Sequence, residues 1–107
     1  MTLDDYQRQT ISTADSNCDS IDYLALALCG ETGEVANKVK KILRDQNGVV
    51  FAPDCIALAH ELGDVLWYLS VLAKKLGFAL SNIAEFNIEK INGRLERGTL
   101  HGSGDNR

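Results

Sequence analysis

Leu28-Cys-Gly-Glu31-Thr-Gly33-Glu34-Val35 and Leu58-Ala-His-Glu61-Leu-Gly63-Asp64-Val65 are two copies of one pattern, Leu-x-x-Glu-x-Gly-acid-Val, set 30 residues apart. In each copy two carboxylates stand three residues apart, which on a helix puts them on one face, one turn from each other. Each copy also places a glycine between its acids. Glycine inside a helix costs about 1 kcal/mol relative to alanine, so its repetition predicts a close approach at Gly33 and Gly63. If the two helices face each other, Glu31, Glu34, Glu61 and Asp64 converge. Four carboxylates repel one another and call for a multivalent cation, and hard oxygen donors select Mg²⁺ or Mn²⁺.

The flanking residues turn this from a solvated acidic face into a seam. Leu24, Ala27 and Leu28 share the stripe of Glu31 and Glu34, and Ala57, Tyr68 and Leu72 share that of Glu61 and Asp64. Acids within an apolar seam are costly unless they are paired or bound to metal.

Composition sets the frame. The 107 residues, 45% hydrophobic and 24% charged, predict one soluble domain spanning 1–107 that gains from oligomerisation. The net charge of -4 comes from 15 acids against 11 bases, so the acidic excess equals the four proposed ligands. This is the opposite of a nucleic-acid footprint, and no nucleic-acid partner is expected. Cys18, Cys29 and Cys55 are odd in number and form no CxxC, which reads as reduced thiols used in packing. The start, Met1-Thr-Leu-Asp-Asp5, lacks a basic segment and an apolar run, and no apolar run approaches membrane-spanning length. The expectation is a cytoplasmic protein with no membrane partner.

Four helices follow from the order of apolar stripes and breaks. Thr2 with Asp5 is a capping-box start for a helix reaching about Ala14. Ser16-Asn-Cys-Asp-Ser20 breaks the chain and caps a second helix, from about Ile21 to Arg44. Lys38, Lys40, Lys41 and Arg44 complement its C-terminal dipole, and Lys38 and Lys41 share the Glu34 stripe, within reach of a ligand. Asp45-Gln-Asn-Gly48 ends the helix, and Val49-Val-Phe51 is expected as packed extended chain. Pro53 opens a third helix running to about Leu76 and stopping at Gly77. This helix is apolar around more than one face, which predicts a buried or interface position. Trp67 is expected in core or interface, and Tyr68, one turn beyond Asp64, in the lining of a pocket. Asn82 with Glu85 caps a fourth helix ending near Arg97. Its stripe Asn87, Lys90, Arg94 and Arg97 can hold phosphate oxygens if it lies beside the acids. The glycine-rich tail, residues 98–107, can close over an anion.

Taken together, these residues resemble the MazG-like family of all-α nucleotide pyrophosphohydrolases. The family hallmark, Glu-x-x-Glu and then Glu-x-x-Asp, corresponds to Glu31-Thr-Gly-Glu34 and Glu61-Leu-Gly-Asp64, with 26 residues between them. Asp64-Val-Leu-Trp-Tyr68 is similar to the family's continuation of its third helix. Asn87-Ile-Glu-Lys90 with Arg94 is similar to an Asn-x-x-Lys motif on the next helix. Gly102-Ser-Gly-Asp-Asn-Arg107 resembles the tail of short, single-domain and phage-associated members. The resemblance implies a four-helix bundle that oligomerises through its long central helices as a homodimer or homotetramer. It also implies Mg²⁺-dependent hydrolysis of a nucleoside triphosphate to the monophosphate and pyrophosphate. Glu31, Glu34, Glu61 and Asp64 would be metal ligands, with Glu34 or Glu31 free instead to orient the water. Lys90, Arg94 and Arg107 would hold the outer phosphates, with Asn87 and Tyr68 nearer sugar or base, and Lys38, from its place on the Glu34 stripe, is a further substrate-binding candidate.

Other readings stay open from sequence. A non-catalytic helical oligomer or regulatory module would pair the same acids with Lys38 and Lys41. A deoxyuridine triphosphatase or a phosphoribosyl-ATP pyrophosphohydrolase would share the four acids. A di-iron carboxylate bundle needs Glu-x-x-His motifs, which His60 and His101 do not supply.

Overall fold

The computed structural model describes residues 1–107. It is all helical: α1 (Leu3–Ile11), α2 (Ile21–Gln46), α3 (Ala52–Lys75) and α4 (Leu80–Glu96), with a 3-10 turn at Ser16–Asp19 after α1. The Thr2 hydroxyl accepts from the Asp5 N–H at 3.0 Å and the Asp5 carboxylate from the Thr2 N–H at 2.9 Å, so the capping box at α1 is formed. The helix ends at Ile11 rather than Ala14. The Ser12 and Thr13 hydroxyls bond the carbonyls of Gln9 and Thr10, and the backbone tightens into turns there.

The two long helices obey local signals. Ser20 Oγ caps α2 by accepting from the Tyr23 N–H. Two residues beyond Arg44 the helix ends at Gln46, Asn47 follows left-handed at φ 51°, and the Gly48 N–H returns to the Ile42 carbonyl at 3.1 Å. Val49, Val50 and Phe51 are not packed as expected. Each is more than half exposed, and the segment is held through main-chain groups, with Gln46 donating to the Val49 carbonyl. Asp54 opens α3 by accepting from the Phe51 N–H at 2.8 Å. Gly77, at φ 87°, follows its end.

α2 and α3 form an antiparallel hairpin. As α2 is followed back from Gln46 through Lys38 to Glu31, its partners on α3 advance from Asp54 through Glu61 to Tyr68. The α2 residues turned inward are Leu24, Leu28, Glu31, Val35, Lys38 and Ile42, alternating by three and four, which is the seam spacing of a helix pair. α1 crosses α3 and fastens α4. The buried Gln7 amide donates to the Ser70 and Phe78 carbonyls at 3.2 and 3.0 Å and accepts from the Leu80 N–H at 3.1 Å. Asp4 accepts from the Ser81 N–H and hydroxyl at 3.0 and 2.8 Å. α4 therefore begins at Leu80, two residues before Asn82, because its cap comes from α1.

A single chain leaves this architecture open. The radius of gyration is 16.7 Å, against about 13 Å for a compact chain of this length. The accessible surface is 7464 Å², whereas a folded monomer of 11.7 kDa exposes about 5,900 Å². The exposed surface includes Ile56, Leu62 and Leu66 on α3, Leu26 and Leu43 on α2, and Phe86, Ile88 and Leu95 on α4. Cys29 and Cys55 are also exposed rather than packed, and only Cys18 is half-buried. The close approach expected at Gly33 and Gly63 is absent within the chain, since a Cβ at either position would meet open space. Contrary to the reading of apolar runs, α3 is long and apolar enough by length and composition to cross a bilayer. Glu61 and Asp64 at its centre oppose that placement, because carboxylates at mid-membrane depth are expensive.

Candidate functional site

The hairpin brings three of the four acids together. Carboxylate oxygens of Glu31, Glu61 and Asp64 lie within 4.8 Å of one another. Glu31 comes from the inward stripe of α2, and Glu61 and Asp64 from successive turns of α3. Glu34 is exposed and lies outside this trio, although its charge is still felt by Glu31. On α2 the inward position after Glu31 is Val35, so Glu34 falls beside the contact with α3 rather than on it.

The electrostatics of the trio are unresolved by the chain itself. Burial, and then the charges of Asp64, Glu61 and Glu34, raise the Glu31 carboxyl above its usual value of 4.5. Glu61 alone among the acids has an ion-pair partner, Lys38, with Nζ 3.2 Å from Oε1. Glu31 and Asp64 have neither an ion pair nor a hydrogen bond to balance them. All three donors of the trio are carboxylate oxygens, the hard donors that Mg²⁺ and Mn²⁺ prefer. The donor set fits a hard divalent cation.

Beside the acids is a cavity of about 360 Å³ lined by Thr13, Glu31, Asp64, Trp67 and Tyr68. The two aromatic rings meet edge to face at 4.9 Å and 80°. Trp67 donates from Nε1 to the Thr13 hydroxyl at 3.0 Å. Burial raises the Tyr68 phenol, with smaller contributions from Tyr23 and Glu31. Burial also raises the Tyr6 phenol, aided by the Asp64 charge. Tyr68 was legible as a pocket residue. Thr13 and Tyr6 were missed, and Trp67 was expected in core or interface rather than in the cavity wall. The only local signal for Trp67 was its place beside Tyr68, three residues after Asp64.

The cations expected on α4 and in the tail are placed elsewhere. Asn87 lines a different, mostly apolar cavity with Leu3, Leu66 and Ile88, and Lys90 is exposed with no ion-pair partner. Arg94 is buried and donates to the Asp105 carbonyl at 3.0 Å. Arg107 donates to the carbonyls of Thr99, Gly104 and Leu100, and Arg97 donates to the Arg107 carbonyl. The tail is thus folded on the end of α4, with the Arg107 fork spent on main-chain oxygens. Within one chain, none of these four residues borders the acid cavity. Lys38 does reach the acids.

The family model of the MazG nucleotide pyrophosphohydrolase domain matches residues 19–98, from the turn before α2 to the end of α4. The chain belongs to this MazG family. Members are divalent-metal-dependent nucleotide pyrophosphohydrolases, and Glu31, Glu61 and Asp64 form an acidic cluster within the matched residues. This MazG chain is also 46% identical over 114 aligned positions, covering all of both chains, to the Gene 37 protein of Mycobacterium phage L5. No solved structure matches it.

Proposed function

We propose that this chain hydrolyses a ribo- or deoxyribonucleoside triphosphate between the α and β phosphates, releasing the monophosphate and pyrophosphate in nucleotide-pool housekeeping. The observation that carries the reading is the meeting of Glu31, Glu61 and Asp64 at the mouth of an aromatic-walled cavity. Mg²⁺, with Mn²⁺ as a substitute, would neutralise phosphate oxygens and polarise phosphorus there. Glu31, Glu61 and Asp64 would hold the cation. Glu34, one turn from Glu31, orients the water and takes its proton as the new bond to the α-phosphorus forms and the bond to the bridging oxygen breaks. Trp67 and Tyr68 offer faces and edges to the base, and the Thr13 bond fixes the indole. Little covalent work is asked of the protein, as expected for phosphoryl transfer.

The exposed apolar surface supports a homodimer or homotetramer built on α3. About 1,600 Å² of surface beyond the monomer norm on one chain is roughly twice what each partner contributes to a standard protein interface. In such an assembly Asn87, Lys90 and Arg94 are candidates to face a neighbouring subunit's site.

One observation favours a second reading: the Lys38–Glu61 ion pair is what a non-catalytic helical module would build. A panel of nucleoside triphosphates with Mg²⁺, including deoxyuridine triphosphate and phosphoribosyl-ATP, separates the readings. Pyrophosphate and orthophosphate are assayed separately. Pyrophosphate release from one or more substrates is expected. Absence of turnover across the panel would favour the module.

A further inference from the structure

The acid trio already contains a cation. Lys38 Nζ sits 3.2 Å from Glu61 Oε1, with the lysine side chain 38% and the glutamate side chain 17% exposed. The remaining carboxylates, Glu31 and Asp64, share no partner, so one ammonium faces three negative charges. Lys38 also lines a second cavity between α2 and α3, of about 180 Å³, with Lys41, Gln46 and Asp54 among its walls. Lys41 stands one turn from Lys38 and has no ion pair. Asp54, the acid of that cavity, is already engaged by the Phe51 N–H and the Gln46 amide at its far end. The other charged walls, Lys38 and Lys41, are both basic and suit an anion better than a cation.

We propose that Lys38 is the resident counter-ion of the acid trio, that a divalent cation displaces it from Glu61, and that the freed ammonium joins Lys41 in holding the outer phosphates. The inference rests on the acids being the metal site. It assigns the phosphate tail to the α2–α3 cleft of the same chain rather than to α4. The charge arithmetic favours the exchange, because a divalent cation neutralises the trio more fully than one ammonium. The flexible four-carbon stem of lysine lets Nζ move between the two cavities without backbone change. Glu61 is the group handed over, since it alone touches both cations.

Metal binding without nucleotide tests the exchange. Mn²⁺ is titrated by electron paramagnetic resonance, and Mg²⁺ by calorimetry, into the whole chain and into Lys38→Met, Lys38→Arg and Lys41→Met. Lys38→Met is expected to bind metal more tightly by roughly two- to five-fold, the range that one partly exposed ion pair is worth. Lys38→Arg keeps the competing charge and stays near the parent, and Lys41→Met leaves metal affinity unchanged. With Mg²⁺ present, inorganic pyrophosphate is expected to bind several-fold more weakly to both methionine variants. Equal or weaker metal affinity in Lys38→Met, with helix content intact, overturns the counter-ion role. Unchanged pyrophosphate affinity in that variant overturns the transfer. Tighter metal binding in Lys38→Met beside a parent that cleaves no triphosphate would leave the inference standing and remove the enzymatic reading.

Discussion

Trp67 and Thr13 are 54 residues apart in sequence and 3.0 Å apart in space, the indole N–H donating to the hydroxyl at the rim of the acid cavity. The bond ties the turn after α1 to α3 and sets the ring that faces Glu31 and Asp64. Trp67 is the chain's sole tryptophan, so its emission reports on this cavity alone. Saturable change in emission is expected on adding nucleotide. Thr13→Val should weaken nucleotide binding and raise KM more than it lowers kcat, because orientation of the base is shared by ground and transition states. An unchanged KM with normal emission would place the base elsewhere.

The trio orders the effects of amide substitutions. Asp64→Asn and Glu61→Gln are expected to lose Mg²⁺-dependent turnover by about 100-fold or more, the scale of removing an electrostatic stabiliser from a reacting centre. Both should also lose metal affinity in calorimetry. Glu34→Gln, outside the trio, should retain metal binding while turnover falls. Loss of metal binding in Glu34→Gln equal to that in Asp64→Asn would restore a four-acid cage.

Glu31 carries a pH signature in the metal-free protein. Its carboxyl is raised in the folded state by burial and by Asp64, Glu61 and Glu34. Its contribution to stability is therefore complete below the ordinary value of 4.5 and is lost as pH rises through the folded value. Glu31→Gln should be more stable than the parent at neutral pH without metal, and the advantage should vanish in acid. Thermal melts at several pH values decide this, and Mg²⁺ should raise the melting temperature of the parent but not of the variant.

Assembly can be tested by scattering. Leu62, 57% exposed on α3, is expected to lie in a subunit interface. Leu62→Glu should shift the mass by light scattering toward a monomer at micromolar concentration. A parent that is itself monomeric there would leave the apolar surface without a partner copy.

The two long helices and their acids were legible because their signals are local. Ser20, Asn47 and Gly77 mark ends through their own side chains or backbone freedom, and Glu31 and Glu61 repeat at seam spacing on helices that pack together. Glu34 was read with them because the spacing of a Glu-x-x-Glu pair does not reveal which of its members meets the facing helix. The start of α4 was misplaced at Asn82 since its caps, Asp4 and Gln7, lie more than 70 residues earlier. Thr13 gave no signal, as a hydroxyl in a turn acquires meaning only when α3 arrives beside it. The paired glycines were read as close contacts, yet their chain-side surroundings are empty.

Gln7 makes a further mutation informative. Its amide joins the Ser70 and Phe78 carbonyls to the Leu80 N–H in a buried place. Gln7→Ala leaves several main-chain groups unpaired and should cost about 1–3 kcal/mol in denaturant unfolding. Asp4→Asn should cost less. The Asp4 carboxyl is held below its usual 3.8 by the Ser81 backbone and side-chain hydrogen bonds. Its contribution is present above pH 3.8 and fades as pH falls through the lower folded value, so the two proteins should converge in strong acid.

The trans cap that α1 supplies to α4 also makes amide hydrogen exchange at Leu80 and Ser81 a gauge of whether α1 is docked. Those two protons can exchange only when Gln7 and Asp4 let go, whatever the intrinsic fraying of α4. Because the chain emerging from α1 carries Thr13 to the rim of the acid cavity, a nucleotide that steadies Trp67 there would slow exchange at the start of α4, at Leu80. Occupancy of the cavity would then be recorded by two amides that never touch the ligand.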